Sequence, residues 1–275
     1  MPEGHSILRA ANHWNRIAEQ PLVLSSPQGR FAAEAAQLTG RELQKAYAHG
    51  KHLFLQFSPD ETVHIHLGLY GRHRWHSKPL PDLRDTVRLR AEYEKGAVDL
   101  SGPTRCELLE APGVQKILDR LGPDPLKLDE APEDFLDRMG KLKLEVGRVL
   151  MDQSKIAGVG NVYRAEILFM AGISPFAEAR SIPREDWKKL WRLTRELMLH
   201  GVAHAGGIET IYRSSPRPEM VPEEVKAACA SRTYVYKRTG LPCLGCGNPV
   251  VEQEYFGRSL YYCPVDQPLN SELNL

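Results

Sequence analysis

The hydrophobic pattern of the chain changes near residue 112, and this change limits the possible folds more than any other feature. From residue 21 to that point, short apolar runs alternate with turn signals such as Ser-Pro-Asp and Ser-Gly-Pro. Beyond it, apolar residues recur with a helical period of about 3.6 residues. The pattern therefore predicts a β-sandwich or barrel followed by a helical region.

Individual elements follow from the same pattern. A stripe that includes Ile7, Ala11 and Trp14 predicts a helix over residues 6–19, ahead of the strands. Strands are predicted at 22–24, 51–57, 62–67, 86–89 and 97–100. Helices are predicted at about 133–139, 144–151, 160–170 and 183–203. Three further strands are predicted near the C-terminus, at 234–236, 250–254 and 260–262.

The domain boundaries are placed where composition shifts. Residues 1–117 form the predicted N-terminal β-sandwich domain, and the Pro-containing, acidic stretch 118–135 is predicted to be a linker. A helical domain follows at 136–225, with a Gly-, Pro- and Ser-rich loop at 204–233. Residues 233–267 form a small third unit, and residues 268–275 are a tail. The predicted class is thus an α+β multidomain protein.

Composition excludes several classes of protein. The 275 residues are 42% hydrophobic, enough for two or three units with real cores. We find no run of eighteen apolar residues and no basic-then-apolar leader, so we expect a cytoplasmic, bacterial-type protein without a membrane partner. Three of the five cysteines crowd between positions 243 and 263, which favours reduced thiols that bind a metal over disulfides. Cys106 and Cys229 are interpreted as ordinary small side chains.

Charge alone leaves the partner open. The net charge is +1, but residues 121–140 carry six acidic side chains against two basic ones, Lys127 and Arg138. The remaining chain has 34 basic and 29 acidic residues, a net charge of +5. This distribution fits either a basic face for nucleic acid or charges mixed over a solvated surface.

The N-terminus reads Met1-Pro2-Glu3-Gly4 and offers an amine nucleophile. Initiator Met is normally removed before a small residue such as Pro2, which leaves a secondary α-amine. An α-amine titrates at about 7.7–8.0, so part of it is unprotonated at neutral pH and can attack an electrophilic carbon to form an iminium. Glu3 could move protons beside it. The alternative for this segment is a frayed terminus without a function.

Two glycine-containing motifs lie on predicted loops. In His-Leu-Gly-Leu-Tyr-Gly (66–71), two glycines flank Leu69 and Tyr70, which suggests a tight loop that turns both side chains outward. An ordinary hairpin with both side chains in the core is the alternative. In Gly158-Val159-Gly160-Asn161, backbone N–H groups and an amide at a helix start could hold an anion, although a plain helix–turn–helix hairpin has the same pattern.

Four separated motifs together resemble the formamidopyrimidine-DNA glycosylase and endonuclease VIII family. They are Pro2-Glu3-Gly4-His5, Gly50-Lys51-His52, the stretch from Asp152 through Gly158-Val159-Gly160-Asn161 to Glu166, and Gly257-Arg258-Ser259. The resemblance spans nearly the whole chain. It implies a sandwich with a flanking helix, a helix–two-turn–helix domain and a C-terminal zinc-finger β-hairpin.

The resemblance also implies an activity, that of a bifunctional DNA glycosylase and abasic-site lyase. Pro2 matches the family's Schiff-base nucleophile at the sugar C1′, and Glu3 its proton donor and acceptor. Lys51 and Arg258 match the residues assigned to β- and δ-elimination, where departing phosphates need charge-assisted hydrogen bonds. Residues implied to contact DNA are His66, Asn161 and Arg105 on phosphates, and Leu69 and Tyr70 as wedges that fill the space of the displaced nucleotide.

Details of the sequence favour the endonuclease VIII branch. Gly4 and the Leu69-Tyr70 pair match that branch, and Cys106 stands where the other branch has an aromatic residue. We therefore expect oxidised pyrimidines and abasic sites as the main substrates, and poor activity on 8-oxoguanine opposite cytosine. The expected partner is damaged double-stranded DNA, with single-stranded or bubble DNA also possible, and the protein is expected to be a monomer.

The implied zinc site departs from the family. Cys243, Cys246 and Cys263 match three of its four cysteine ligands, whereas Asp266 replaces the fourth. A carboxylate oxygen is a sound zinc ligand. Three states stay open: zinc bound with Asp266, zinc bound by three cysteines and water, or no zinc.

Two other functions would leave different marks in the sequence. A non-catalytic DNA damage- or structure-binding protein of the same fold would retain Asn161 and Arg258 but lose the terminal amine or Glu3, and both are present. A metal-dependent nuclease or regulatory zinc-finger protein would need a carboxylate cluster or a basic recognition helix. Neither pattern occurs in the sequence.

Overall fold

The structure, a computed structural model, describes residues 2–204, 208–211 and 232–269. The chain divides into two compact units, Met1–Leu121 and Gly122–Leu275. None of the described helices combines the length and apolar composition that a membrane span needs. Most of the predicted loop at 204–233 and of the tail 268–275 lies outside the described residues, as do Cys229 and the end of the predicted domain 136–225.

The first unit contains two antiparallel four-stranded sheets. One has the order β1-β6-β7-β5 and the other the order β2-β3-β4-β8. The strands are β1 (Val23–Ser25), β2 (Lys45–His49), β3 (His52–Ser58), β4 (Glu61–His66), β5 (Arg72–Ser77), β6 (Val87–Tyr93), β7 (Gly96–Ser101) and β8 (Arg105–Leu109). The helices are α1 (Gly4–Asn15), α2 (Ala32–Leu38) and α3 (Ala111–Leu118).

Buried apolar residues that alternate along the strands form the core of this unit. Leu53 and Leu55 of β3 and Val98 and Leu100 of β7 belong to one buried cluster, so the apolar faces of both sheets contribute to it. The stripe on α1 joins the same cluster, with Trp14 at 1% exposure. The predicted N-terminal β-sandwich with a flanking helix is therefore confirmed.

The second face of the β2-β3-β4-β8 sheet carries a separate small cluster. Phe54 of β3 is fully buried there against Val114 and Ile117 of α3. Residues on the same face therefore lie outside the sandwich core, and many are polar. Of the candidate functional side chains of the first unit, His66 and Arg105 lie on strands of this face.

The second unit is helical around one core. Its helices are α4 (Glu133–Met139), α5 (Val146–Val149), α6 (Asn161–Ala171) and α7 (Arg184–Ala203), with a short 3₁₀ turn at Ala179–Ser181. All residues of α6 from Asn161 to Met170 are buried. Phe135 of α4 packs edge-to-face on Trp187 of α7, with 5.8 Å between ring centroids. The four predicted helices are present, with α5 shorter than expected.

The segment predicted to be a linker packs against α7. The division between the two units falls after Leu121, inside the predicted range 118–135. Within the second unit, the Arg195 guanidinium donates to the Pro125 carbonyl at 2.9 Å, and the Trp191 indole donates to the Leu128 carbonyl at 3.3 Å. These bonds place at least residues 125–128 on the helical unit.

The prediction of a strand at 234–236 is wrong. Three successive backbone N–H groups, of Tyr234, Val235 and Tyr236, donate to the buried Glu166 carboxylate at 2.7 to 2.9 Å. The Thr210 hydroxyl donates to the same carboxylate. Because their N–H groups all point at one side chain, these residues form a bend and cannot pair in a ladder.

The C-terminal hairpin consists of β9 (Val251–Tyr255) and β10 (Arg258–Tyr262). The strands pair antiparallel, and the Tyr255–Arg258 pair closes a two-residue turn. Beside the hairpin, a loop that begins near Cys243 is closed by the Cys243 N–H, which donates to the Asn248 carbonyl at 2.7 Å. The predicted zinc-finger-like hairpin is therefore present.

Candidate functional site

The N-terminal segment is anchored by the first turn of α1. Glu3 is the N-cap and its side chain is fully buried. The Glu3 N–H donates to the Ser6 hydroxyl at 3.2 Å, and that hydroxyl donates to the Glu3 carbonyl at 2.8 Å. A carboxylate at a helix N-terminus is stabilised by the helix dipole. The half-buried Pro2 directly precedes this anchor, so the alternative of a frayed terminus is wrong for residues 2 and 3.

His5 keeps the first turn of α1 uncharged at neutral pH. Burial, and to a lesser extent the charge of Arg9, lower the pKa of His5 to about 3. The imidazole is therefore neutral under physiological conditions.

Lys51 lies at the tip of the β2–β3 hairpin. His49 pairs with His52, which leaves Gly50 and Lys51 as the two turn residues. Gly50 has φ +55°, a conformation that glycine adopts without strain. The Gly-Lys pair recognised in the sequence is thus a turn that holds the lysine at the end of the sheet.

A row of three histidines and one arginine crosses all four strands beside that tip. His49 pairs with His52, His52 with His66, and His66 with Arg105. Antiparallel partners place their side chains on the same face, so the row is continuous. Lys51 and Arg105 are both close enough to lower the pKa of His66 further, after burial as the main cause. The structure therefore brings together Lys51, His66 and Arg105, in a setting suited to anions.

In the next row, His64 links His52 of the first row to the carboxylate of Glu107. His64 Nδ1 donates to the Glu107 carboxylate at 2.9 Å, which leaves its Nε2 to accept from His52 Nδ1 at 2.8 Å. The two rings are stacked, with 5.1 Å between their centroids. Burial, with the neighbouring histidines as lesser causes, lowers the pKa of His52 to about 3. These two hydrogen bonds fix the tautomers of His52 and His64, next to His66.

The loop after β4 presents two apolar side chains to solvent. Leu69 is 53% exposed and Tyr70 is 84% exposed, so the alternative with both in the core is wrong. Gly68 has φ +65°, and a Cβ there would lie 2.3 Å from Thr104 Cγ2. The Thr104 hydroxyl donates to the His66 carbonyl at 2.9 Å and also lies 2.9 Å from His66 Nδ1. One threonine therefore fixes both the loop and His66.

In the second unit, the N-terminus of α6 is tied to the C-terminal hairpin. The Asn161 amide donates to the Ser259 carbonyl at 2.9 Å. Arg164 Nη2 donates to the same carbonyl at 3.2 Å and to Asn161 Oδ1 at 2.5 Å. Ser259 adjoins Arg258, so the structure places two sequence-predicted residues, Asn161 and Arg258, around one short segment of β10.

The four candidate metal ligands converge as the sequence implied. One ligand atom from each of Cys243, Cys246, Cys263 and Asp266 lies within 4.8 Å of all the others. Backbone N–H groups of Gly245 and Asp266 approach the sulfurs of Cys243 and Cys263 at 3.4 Å. Three sulfurs and one carboxylate at this spacing fit a tetrahedral ion, and N–H groups aimed at sulfur favour thiolates. The residues present therefore fit a metal site.

Sequence reasoning gave no role to several polar residues of these sites, namely His52, His64, Thr104, Glu107 and Arg164. One signal was usable: His64 and His66 are two residues apart on one predicted strand and therefore share a face. His52 lies on the preceding predicted strand. Glu107 carried no signal, since the pairing of β4 with β8 could not be read from spacing.

Comparison with known proteins agrees with this arrangement. Residues 1–105 match the formamidopyrimidine-DNA glycosylase N-terminal domain, and residues 121–212 match the formamidopyrimidine-DNA glycosylase H2TH domain. Endonuclease 8 1 of Mycobacterium tuberculosis is 40% identical over 274 residues, covering 97% of this chain and all of that protein. The formamidopyrimidine-DNA glycosylase of Thermus thermophilus is 33% identical over 233 residues, covering 83% of each chain.

Solved structures show the same fold. The Lactococcus lactis formamidopyrimidine-DNA glycosylase in complex with DNA containing N7-benzyl-Fapy-dG superposes with a TM-score of 0.78 at 22% identity, covering 97% of this chain and 100% of that one. The MutM protein from Thermus thermophilus superposes with a TM-score of 0.74 at 27% identity, covering 97% and 98%. With the matched domains and full-length relatives, these findings show that the chain belongs to the formamidopyrimidine-DNA glycosylase and endonuclease VIII family of base excision repair.

Proposed function

We propose that the protein is a bifunctional DNA glycosylase and abasic-site lyase that works through an iminium at Pro2. The observation that carries this proposal is that Glu3 is buried at the N-cap of α1 and directly follows the half-buried Pro2. A carboxyl group at this position can give a proton to a reacting atom or take one from it. The pair is thus a nucleophile with an adjacent proton carrier at a fixed position.

The chemistry starts once Met1 has been removed. The Pro2 nitrogen forms a bond to C1′ of the damaged nucleotide as the bond between C1′ and the base breaks, and the base leaves with the proton that the Pro2 nitrogen loses. Glu3 supplies the proton that opens the sugar ring. The resulting iminium withdraws electrons, so the C2′ proton becomes acidic.

Strand cleavage follows by elimination. Loss of the C2′ proton and of the 3′-phosphate forms a double bond in the sugar, and a second elimination expels the 5′-phosphate. Both leaving groups are anions that a nearby cation stabilises. Lys51 at its hairpin tip and Arg258 at the start of β10 are the residues that we assign to this task. His66, Arg105 and Asn161 would hold neighbouring phosphates of the DNA.

We further propose oxidised pyrimidines and abasic sites in double-stranded DNA as the substrates. Gly4 and the exposed Leu69 and Tyr70 support this preference. Cys106 supports it too, because its side chain is buried in the sandwich core and offers no aromatic ring next to Arg105. Apolar wedges offset the unstacking that displacement of a nucleotide requires. The protein would act as a monomer in the cytoplasm.

Zinc is the ion that we propose for the cluster of three cysteines and Asp266. When bound, it would supply structural stabilisation and no catalytic step. The donor set supports this, because thiolates with one carboxylate suit Zn²⁺. The same region contains the hairpin that carries Arg258, so the ion would hold that arginine in place.

The deciding experiment is borohydride trapping on an oligonucleotide with one abasic site, accompanied by intact-mass analysis of the N-terminus. Wild-type protein lacking Met1 should form a covalent adduct. The Pro2→Gly and Glu3→Gln variants should form much less. If processed wild-type protein bound the DNA but formed no adduct, the alternative of a non-catalytic damage-binding protein would replace this proposal. Efficient, cytosine-dependent excision of 8-oxoguanine would refute the proposed substrate preference.

A further inference from the structure

The turn of the C-terminal hairpin contains an unusual residue. Phe256 and Gly257 connect β9 to β10, with φ +50° and +71°. Positive φ at both positions is typical of a type I′ turn, whose first position normally holds Asn, Asp or Gly. Among the described residues, the other non-glycine residues with positive φ are the polar Glu19 and Lys237. A phenylalanine in this conformation is strained, and strain of this kind is typically retained at functional positions.

The strained residue has its aromatic ring in solvent. Phe256 is 64% exposed, at the outermost point of the hairpin. Burial in a core therefore does not explain why a large apolar side chain occupies a position that favours Asn or Gly. An exposed aromatic ring offers a flat surface on which a nucleobase can stack.

The ring is nevertheless held in a defined position. The Arg148 guanidinium of α5 lies 4.1 Å from the Phe256 ring centroid, and the Tyr255 ring packs edge-to-face at 4.8 Å. Tyr255 is itself fixed, because its hydroxyl donates to the Glu145 carboxylate at 2.5 Å. The exposed ring is thus preorganised by neighbours from two elements, which lowers the entropy cost of binding.

The ring and its arginine partner line a small open pocket of about 240 Å³. Its other lining residues are Met151, Asp152, Arg164, Tyr255 and Arg258. Three arginines face a single carboxylate, and Asp152 already accepts hydrogen bonds from the Ser154 N–H and hydroxyl. The pocket therefore combines an aromatic face with an excess of positive charge, the two features that nucleotides require.

We propose that Phe256 and Arg148 form a nucleotide-binding platform on the DNA strand, beyond the phosphate contacts assigned above. The Phe256 ring contacts the apolar face of one nucleotide, and Arg148 pairs with its phosphate. This inference rests on the proposed function, because DNA must be the molecule that reaches the hairpin. It adds a contact that the Gly-Arg-Ser motif did not predict.

The test measures the affinity of the full-length protein for a duplex that contains one tetrahydrofuran residue, by fluorescence anisotropy over a range of NaCl concentrations. Phe256→Asn retains a residue that accepts positive φ, so the turn should fold at least as well as in wild type. Because this variant loses a stacked nucleobase, it should bind about tenfold more weakly, equivalent to about 1.4 kcal/mol, with an unchanged salt slope. Phe256→Trp keeps an aromatic ring at this position, so it should bind the duplex with an affinity close to that of wild type.

Arg148→Gln tests the second half of the platform. Since each phosphate contact releases counterions, this variant should reduce the slope of log K against log [NaCl] by about 1. Leu241→Ala is the matched control, because Leu241 is an exposed apolar residue of the same C-terminal region, 51% exposed. It should leave both affinity and slope unchanged.

The contacted part of the nucleotide is identified by moving a second tetrahydrofuran residue along each strand. If the ring stacks on a base, loss of one particular base should weaken wild-type binding and not that of Phe256→Asn. If it contacts the sugar, no single base should matter while Phe256→Asn still binds weakly. Wild-type affinity in Phe256→Asn would overturn the inference, whereas failure of wild type to bind or to be trapped by borohydride would overturn the proposed function.

Discussion

The Asn161 side chain donates a hydrogen bond to the backbone carbonyl of Ser259, although 98 residues separate them in the sequence. The sequence assigns Asn161 to DNA, yet its Nδ2 joins the start of α6 to β10, and its Oδ1 accepts from Arg164. Asn161 is 5% exposed and Arg164 is 2% exposed. The residue therefore has a structural role in positioning Arg258, whatever contact it also makes to a phosphate.

Replacing Asn161 tests this role. Asn161→Ala should lower the free energy of unfolding by about 1–3 kcal/mol, because it leaves buried polar groups without a partner. It should also raise amide hydrogen exchange in β10 in the absence of DNA. Hydrogen exchange with mass spectrometry measures both effects along the chain. Unchanged exchange in β10, combined with weak DNA binding, would show that Asn161 serves DNA alone. Arg258→Ala is the control, since it removes the adjacent exposed side chain and leaves the Ser259 carbonyl bonds intact.

Gly68 and Thr104 should be energetically coupled. Gly68→Ala adds a Cβ 2.3 Å from Thr104 Cγ2 and forces a non-glycine residue to φ +65°. The left-handed backbone alone costs about 1–2 kcal/mol. The clash should also displace Thr104 from His66, which would lower strand cleavage beyond the loss of stability.

A double-mutant cycle separates the two contributions. Thr104→Ser removes Cγ2 but keeps the hydroxyl that contacts His66, so Gly68→Ala should cost less in that background. Urea unfolding and cleavage of an abasic-site duplex provide the two readouts. Equal costs of Gly68→Ala in both backgrounds would show that backbone strain, and not the clash, dominates.

Metal binding should depend on the residue at position 266. Asp266→Cys should retain the ion longer against EDTA than wild type, because a fourth thiolate is a softer ligand, and Asp266→Ala should lose it faster. Elemental analysis after timed dialysis measures the retained metal. Val265→Ala changes an exposed neighbour and should match wild type. Equal metal loss by Asp266→Ala and wild type would exclude Asp266 as a ligand and favour three cysteines with water.

Loss of the ion should also reduce strand cleavage, because the hairpin that carries Arg258 lies in the same region. Cleavage of an abasic-site oligonucleotide, followed alongside metal content, checks this expectation. Full cleavage by protein verified to be metal-free would refute the proposed structural role of the ion.

Strong local patterns predicted much of the fold. The stripe through Ile7 and Trp14 predicted α1, and the apolar run at 62–67 predicted β4 almost residue for residue. Strand β5 was missed because Arg72–Ser77 holds no run of apolar residues, and its pairing with β7 supplies what its composition lacks. Helix α2 was missed because its two turns lie among strands, and an alanine-rich stretch gives little periodic signal.

The sequence identified candidate residues where a family motif is present, as at Pro2, Lys51 and Arg258, and their roles stay predictions. The candidate site was not predictable where contacts depend on strand order. The pair His64–Glu107 joins residues 43 apart, and only the β4–β8 pairing brings them together. The bend around Glu166 is a further case, because one buried carboxylate overrides the β-type composition of Tyr234–Tyr236.

His73 should make stability fall in acid. Its Nε2 is buried and has no hydrogen-bond partner among the described residues, and its ring packs edge-to-face on Trp14 with centroids 6.2 Å apart. Burial lowers the pKa of His73 to about 4 from an ordinary value of 6.5. The unfolded chain therefore binds a proton between these two pH values that the folded protein does not.

Acid therefore destabilises the folded protein through His73. The folded-state pKa is depressed, so the stabilisation is fully present above about pH 6.5 and is lost as the pH falls toward 4. At pH 5 this one group should cost about 2 kcal/mol relative to pH 8. His73→Phe keeps an aromatic ring against Trp14 and has no proton to bind, so it should be close to wild type at pH 8 and more stable than wild type at pH 5. Urea unfolding at both pH values measures the difference. If His73→Phe and wild type lost equal stability between pH 8 and pH 5, His73 would be charged in the folded protein and the assignment of its low pKa would be wrong.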